Sequence, residues 1–207
     1  MFNKPIDTGR PIHELVASRW SGRAYDPDRP VTRDQLLSIF EAARWAPSCY
    51  GDQPWRFVFW SRHDDEATWA RAQACLATGN REWAAAAPVL ILTLADTRFR
   101  HNDTLNRWAQ YDTGAAVMNL CLQAASFGLM SHQMGGFDAE AARQEFGIPD
   151  RYTPMAMLAL GYQLPEERMR SEVAARERSP RVRRPLAELV SEREWARCPT
   201  GFSAGSG

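Results

Sequence analysis

Val89-Leu90-Ile91-Leu92-Thr93-Leu94 narrows the fold more than any other segment, because it is an almost unbroken aliphatic run directly after Pro88. A strand with one face in water alternates apolar and polar side chains; one that does not alternate has to be covered on both faces. The chain must therefore supply a layer of other elements on each side of this strand. Thr32 is a good N-cap for a helix running to about Ala46, with Gln35 at the capping-box position. Leu36, Leu37, Ile39, Phe40, Ala43 and Ala46 make its apolar stripe, and Pro47 stops it. Arg56-Phe57-Val58-Phe59-Trp60 reads as an aromatic-rich strand, and residues 64–76 alternate charge and alanine at helical spacing. Residues 103–127 carry the strongest helix signal, closed by Gly128 where a C-cap glycine belongs. A short strand over 130–134, a helix over 138–146 and a buried strand over 155–162 follow. Residues 166–178 are dense in charge and read as an exposed loop or frayed helix. Strands alternating with helices predict an α/β or α+β domain.

A chain of 207 residues is one ordinary domain, expected here over residues 1–200 with a flexible Gly/Ser tail over 201–207. With 25 basic and 25 acidic residues, no global field favours nucleic acid or a membrane surface. The first ten residues lack the apolar core of a signal peptide, and no apolar run approaches the ~18 residues that span a bilayer. A soluble cytoplasmic protein is the expectation. Cys49, Cys75, Cys121 and Cys198 include no CxxC pair, which argues against a zinc site or a disulfide framework. His13, His63, His101 and His132 stand far apart, none at a metal-ligand spacing, and are assigned to surface or core. The eight tryptophans suit a dimer core or a planar ligand as well as ordinary packing.

Two polar segments offer binding chemistry. Ser18-Arg19-Trp20-Ser21-Gly22-Arg23 places two guanidiniums and a hydroxyl together, the donors that match phosphate oxygens. The same spacing also suits a solvated helix end. Ala46-Pro47-Ser48-Cys49-Tyr50-Gly51-Asp52-Gln53-Pro54-Trp55 is a proline-bounded loop between a helix and a strand, a common place for binding groups. Near the C-terminus, Arg181, Arg183 and Arg184 form either a basic turn or further anion contacts; on an extended segment 181 and 183 would point the same way.

In this order the motifs resemble the nitroreductase superfamily of FMN-dependent oxidoreductases. Arg19-x-Ser21-x-Arg23 resembles its phosphate-binding motif and Pro47-Ser48 through Gln53-Pro54-Trp55 its flavin-edge loop. Asp112-Thr113-Gly114-Ala115-Ala116 through Gly128-Leu129 is similar to its central helix, slim enough at Gly114 for another backbone to approach. Gln133-Met134-Gly135-Gly136-Phe137 and Arg181-x-Arg183-Arg184-Pro185-Leu186 complete the set, which runs from about Ile12 to Val190.

The resemblance implies an α+β, three-layer fold with a central, mainly antiparallel sheet flanked by helices, in an intertwined homodimer. It implies FMN held by Arg19, Ser21, Arg23, Arg181 and Arg183 at the phosphate, with Trp20 packed over the ribityl chain. Asn80 would lie near the pyrimidine edge, and the strand end Gln133-Met134-Gly135-Gly136 near N5. Pro47, Ser48, Cys49 and Gln53 would reach the flavin across the dimer interface. Gly51 stands where related sequences commonly carry Asn, and no carboxylate is offered at Gly135, where many have one. Hydride would pass from NADH or NADPH through the flavin to an electron-poor small molecule such as a nitroaromatic or quinone, with no protein acid or base required. No G-x-G-x-x-G follows a strand, so the nicotinamide has no Rossmann site. Arg98, Arg100 or Arg107 could read a 2′-phosphate. Two other readings stand beside this one: a flavin reductase that supplies a monooxygenase, and a non-catalytic flavin-binding module.

Overall fold

Four strands form one antiparallel sheet: β1 (Trp55–Ser61), β2 (Val89–Asp96), β3 (Met130–Met134) and β4 (Tyr152–Gly161), in the order β1-β2-β4-β3. The computed structural model describes residues 4, 6, 8–197 and 199, so the expected tail and Cys198 lie outside the described residues. Every residue of β2 is buried, as its unbroken aliphatic run requires. Successive side chains of β2 enter two different cores. Leu90, Leu92 and Leu94 join Trp60, Met130 and Met157 on one face. That face is closed by α3 (Glu66–Ala74), α4 (Thr78–Ala84) and α6 (Ala139–Phe146), through Trp69, Ala84 and Ala142. Val89 and Ile91 enter the other core with Leu36 and Ile39 of α2 (Arg33–Arg44) and Val117 and Leu120 of α5 (Ala109–Ser126). The result is helices, sheet, helices in three layers. Each fully buried Leu or Ile contributes ~1.5–3 kcal/mol of transfer free energy, and that burial holds the layers together.

Local chemistry sets the element ends. Thr32 and Gln35 form the expected capping box: Gln35 N–H donates to Thr32 Oγ1 at 3.2 Å, and Thr32 N–H donates to Gln35 Oε1 at 3.0 Å. Leu37, however, is 54% exposed, because positions 36, 39, 40 and 43 share a helix face that excludes 37. The central helix begins at Ala109, not near Asp103. Residues 98–105 instead make a small hairpin, in which Phe99 N–H donates to the Thr104 carbonyl and Asp103 has φ +55°. Asn102 Oδ1 accepts from both Thr104 N–H and Thr104 Oγ1, the local side-chain bonding that competes with helix. At Gly114 the space a Cβ would occupy is open, with nothing within 4 Å of it among the described residues.

Residues 166–178 are more ordered than their charge suggests. A 3-10 turn at Glu166–Arg168 leads into α7 (Ser171–Arg178), which buries Ala174 and Glu177. The short helix α1 (Glu14–Ser18) buries nothing and leads into residues 19–25, which lie along β3 and β4. Tyr25 secures that segment, its hydroxyl donating to the Ala159 carbonyl of β4 at 3.0 Å.

Candidate functional site

Both ends of the chain build one basic hollow of about 290 Å³ beside β3. Lys4, Arg19, Arg23, Arg176, Arg181 and Arg183 line it, with Trp20, Ser21 and His132. Against these cations the lining offers, among the described residues, one carboxylate, that of Glu177. Glu177 is 2% exposed, and its two oxygens accept the Arg23 backbone N–H at 3.1 and 3.2 Å. That contact spans 154 residues and seats the Arg19–Arg23 segment against α7.

The guanidiniums do different jobs. Arg19 Nη1 lies 3.4 Å from Ser21 Oγ, so these two residues of the motif converge. Arg181 spends its donors on backbone carbonyls, on Ala17 at 2.6 Å, Arg19 at 3.1 Å and Lys4 at 3.3 Å. It therefore fixes the N-terminal segment while adding charge. Burial, then the neighbouring Arg19 and Arg183, push Arg181 below the ordinary arginine value. Burial first, and Arg181 after it, likewise lower Lys4, while Glu177 works the other way. These shifts mark positive charge crowded into one place, the condition that an entering anion relieves. Arg183 is exposed and donates to the Val182 carbonyl, and Arg184 lines neither of the hollows described here. Trp20 is buried under Lys4, whose ammonium sits 4.2 Å from the ring centroid.

A larger hollow of about 470 Å³ shares Arg23 and Arg176 with the first and runs along α4. Its wall is Trp83, which stacks on Tyr25 at 6.2 Å and meets His132 at 4.6 Å with the rings tilted by 34°, with the Arg23 guanidinium 5.8 Å from its centroid. At the far end of β3, Asn80 Nδ2 donates to the Gly136 carbonyl at 3.0 Å. A Cβ at Gly136 would come within 2.8 Å of that amide nitrogen, so glycine permits the approach. Gly135 is open on its side-chain face. Met134 is buried in the core, and Gln133 turns its amide toward Cys121 Sγ at 3.7 Å. Three residues of extended chain, ~10 Å, separate His132 in the basic hollow from Gly135.

The Pro47–Gln53 loop lies elsewhere. It enters β1, and β1 and β3 are opposite edges of the sheet, three strand spacings or ~14 Å apart. Pro47, Ser48, Cys49 and Gln53 line neither hollow. The loop is nonetheless tightly built. Ser48 Oγ accepts Gln53 N–H at 3.0 Å, and Asp112 of α5 accepts Cys49 N–H at 2.9 Å. Buried Asp52 accepts from Arg100 N–H at 2.9 Å and Asn106 Nδ2 at 3.2 Å, tying the loop to the 98–105 hairpin. Tyr50, Gly51 and Gln53 all have positive φ, of 54°, 63° and 52°. Such a concentration of left-handed residues is sustained only where the surroundings impose it, and it is characteristic of functional loops.

Residues 16–162 match the family model described as the nitroreductase family. The chain belongs to the nitroreductase family. A putative NADH dehydrogenase/NAD(P)H nitroreductase of Streptomyces coelicolor is 30% identical over 154 residues, covering 65% of this chain and 76% of that protein. An uncharacterised 15.4 kDa protein of Mycolicibacterium smegmatis is 35% identical over 130 residues, covering 63% of this chain and 86% of its own. Among solved structures, an oxidoreductase described as containing FMN superposes with a TM-score of 0.83 at 32% identity, over 94% of this chain and 98% of that one.

Gly51, where the resemblance implies Asn in related sequences, has a physical reading. Position 51 is left-handed, a conformation that glycine adopts freely and that Asn tolerates better than most residues. The backbone of the loop can thus be kept while the side-chain amide is given up. Gly51→Asn is expected to change stability little. Gly51→Ala should cost ~1 kcal/mol, because a Cβ is unfavourable there even though no neighbour lies within 4 Å. Thermal unfolding of the two variants checks this; equal stability would mean that position 51 is not held left-handed.

Reasoning from sequence did not place Lys4, Arg176, Glu177 or His132 at the site. Lys4, Arg176 and Glu177 carry no motif, and Glu177 reaches Arg23 only through tertiary packing. His132 sits one residue before the Gln133–Gly136 motif and carried no signal of its own. Asp52, which the sequence shows only as one residue of the proline-bounded loop, is the buried anchor of that loop.

Proposed function

We propose that this nitroreductase-family chain is an FMN-dependent NAD(P)H oxidoreductase. One observation carries the reading: among the described residues, six cations and a motif serine surround a small hollow whose one carboxylate is occupied by a backbone N–H. A donor set with that excess of positive charge suits a dianionic phosphate. The residues present therefore fit FMN. When bound, FMN supplies the hydride chemistry that links NAD(P)H to an electron-poor acceptor such as a nitroaromatic or quinone.

The chain's own work is positioning. Arg19, Ser21, Arg23 and Arg183 would hold the phosphate, and Arg181 would keep the Arg19 segment in register by its bonds to carbonyl oxygens. Trp20 would pack beside the ribityl chain. Asn80 and the main chain of Gly135 and Gly136 would present hydrogen-bonding groups to the ring edge, one extended stretch away along β3. Pro47, Ser48, Cys49 and Gln53 would face the flavin of a second copy. The separation of that loop from the basic hollow, across opposite edges of the sheet, supports a composite site in a homodimer. Exposed Trp45, Tyr50, Trp108 and Tyr111 near the loop supply apolar area for such an interface. Among the described residues, no helix is long and apolar enough to cross a membrane. Arg98, Arg100 or Arg107 would be the groups to read a 2′-phosphate; Arg98 pairs with Asp103 and Arg107 lies over Trp108.

The test is the visible absorbance spectrum of the purified protein before and after anaerobic addition of NADH or NADPH. Flavin bands that bleach are the expected result. A colourless protein that takes up no added FMN would refute the proposal.

A further inference from the structure

His132 lies on β3 and lines the basic hollow beside Arg19, Ser21 and Arg23. Its Nδ1 is 3.0 Å from the Gly22 carbonyl oxygen. A carbonyl oxygen only accepts, so Nδ1 carries the hydrogen, and in a neutral ring Nε2 is then a bare acceptor. Nε2 has no hydrogen-bond partner among the described residues. The ring also packs against Trp83, with centroids 4.6 Å apart.

Charged and titratable groups line the same hollow from several elements. Arg19 and Arg23 come from the N-terminal segment, Arg176 and Glu177 from α7, and Lys4, Arg181 and Arg183 from the chain ends. Tyr25, behind Trp83, is held well above the ordinary phenol value by burial and stays neutral. Ala159, opposite on β4, carries no charge. Burial first, and then the Arg23 and Arg19 guanidiniums, hold His132 below the ordinary histidine value, while the Gly22 hydrogen bond opposes them. The ring is therefore neutral at pH ~7 in the chain alone.

A bare acceptor faces the wrong way for a phosphate oxygen, which also only accepts. One proton removes the conflict. We propose that His132 is a proton-coupled ligand of the FMN phosphate, taking a proton from solvent onto Nε2 as the dianion enters and becoming a charged donor to it. The only bond made is Nε2–H, and the proton balances one negative charge. The inference rests on the FMN reading and adds to it a group that titrates near neutrality. It follows that FMN affinity falls as pH rises above the ordinary histidine range of ~6.5, beyond any change due to the phosphate itself.

Calorimetric titration of FMN into the flavin-free chain, in Tris and in HEPES near pH ~7.5, counts the protons exchanged. The expected result is uptake of roughly half a proton by the wild type. Little uptake is expected in His132→Asn, whose amide can still donate to the Gly22 carbonyl, and little when riboflavin, which lacks the phosphate, is titrated into the wild type. The ratio of variant to wild-type Kd should be about tenfold near pH ~6.5 and shrink toward one at higher pH. A wild-type measurement guards against a variant that fails to fold: the His132 ring resonance should titrate at higher pH with FMN bound than without. An identical proton count in wild type and variant, or an unmoved ring titration, overturns the inference while leaving FMN binding intact. No FMN binding by the wild type at any pH overturns the cofactor reading and this inference with it.

Discussion

Gly22→Ala is expected to destabilise the protein by ~1–3 kcal/mol and to weaken FMN retention with it. Gly22 sits between Ser21 and Arg23 and is buried. A Cβ there would collide with Met130 Sδ and lie 2.8 Å from both Glu177 Oε2 and Trp20 Cη2. Met130 can shift its thioether, but Glu177 is pinned by the Arg23 N–H and Trp20 by its burial. The segment must therefore lift away from β3, and Arg19, Ser21 and Arg23 lift with it. Differential scanning calorimetry together with an FMN Kd measures both effects. A variant as stable and as retentive as the wild type would show that the segment does not seat against Met130 and Glu177.

Arg19→Ala should weaken FMN binding by roughly 10- to 100-fold, the ~1.5–3 kcal/mol of a charged hydrogen bond to a desolvated phosphate. Arg184→Ala should leave the Kd close to wild type, because Arg184 lines neither the basic hollow nor its neighbour. The two variants remove the same charge from the same molecule. Equal losses would mean that only the overall field matters and that Arg19 makes no directed contact. Fluorescence quenching of FMN during titration gives both constants.

Much of the sheet and its flanking helices is legible in the sequence, because local rules govern those elements. The capping box at Thr32, the aliphatic run of β2 and Gly128 with φ +71° after the central helix are each decided by a few neighbouring residues. The start of the central helix was less legible, because Asn102 and Asp103 make a turn whose competing hydrogen bonds leave no mark on hydrophobic periodicity. The candidate site was half legible. Arg19, Ser21 and Arg23 announce themselves as a motif, whereas the carboxylate that seats them comes from Glu177, in a stretch whose composition reads as solvated. A buried acid with a distant backbone partner looks like any surface acid until the chain is folded. The same holds for Asp52, whose two partners lie 48 and 54 residues away.

The basic hollow joins Lys4 and residues 19–23 to residues 176–183. This arrangement has a consequence during synthesis on the ribosome. The sheet and its two cores are complete once residue 161 has emerged, since β4 ends there. The anion cradle is not, because Glu177 and Arg181 are still inside the exit tunnel. A nascent chain whose residue 165 has just left the tunnel should thus fold its layers yet capture no flavin, and cofactor loading becomes a late event that reports on the emergence of residue 183.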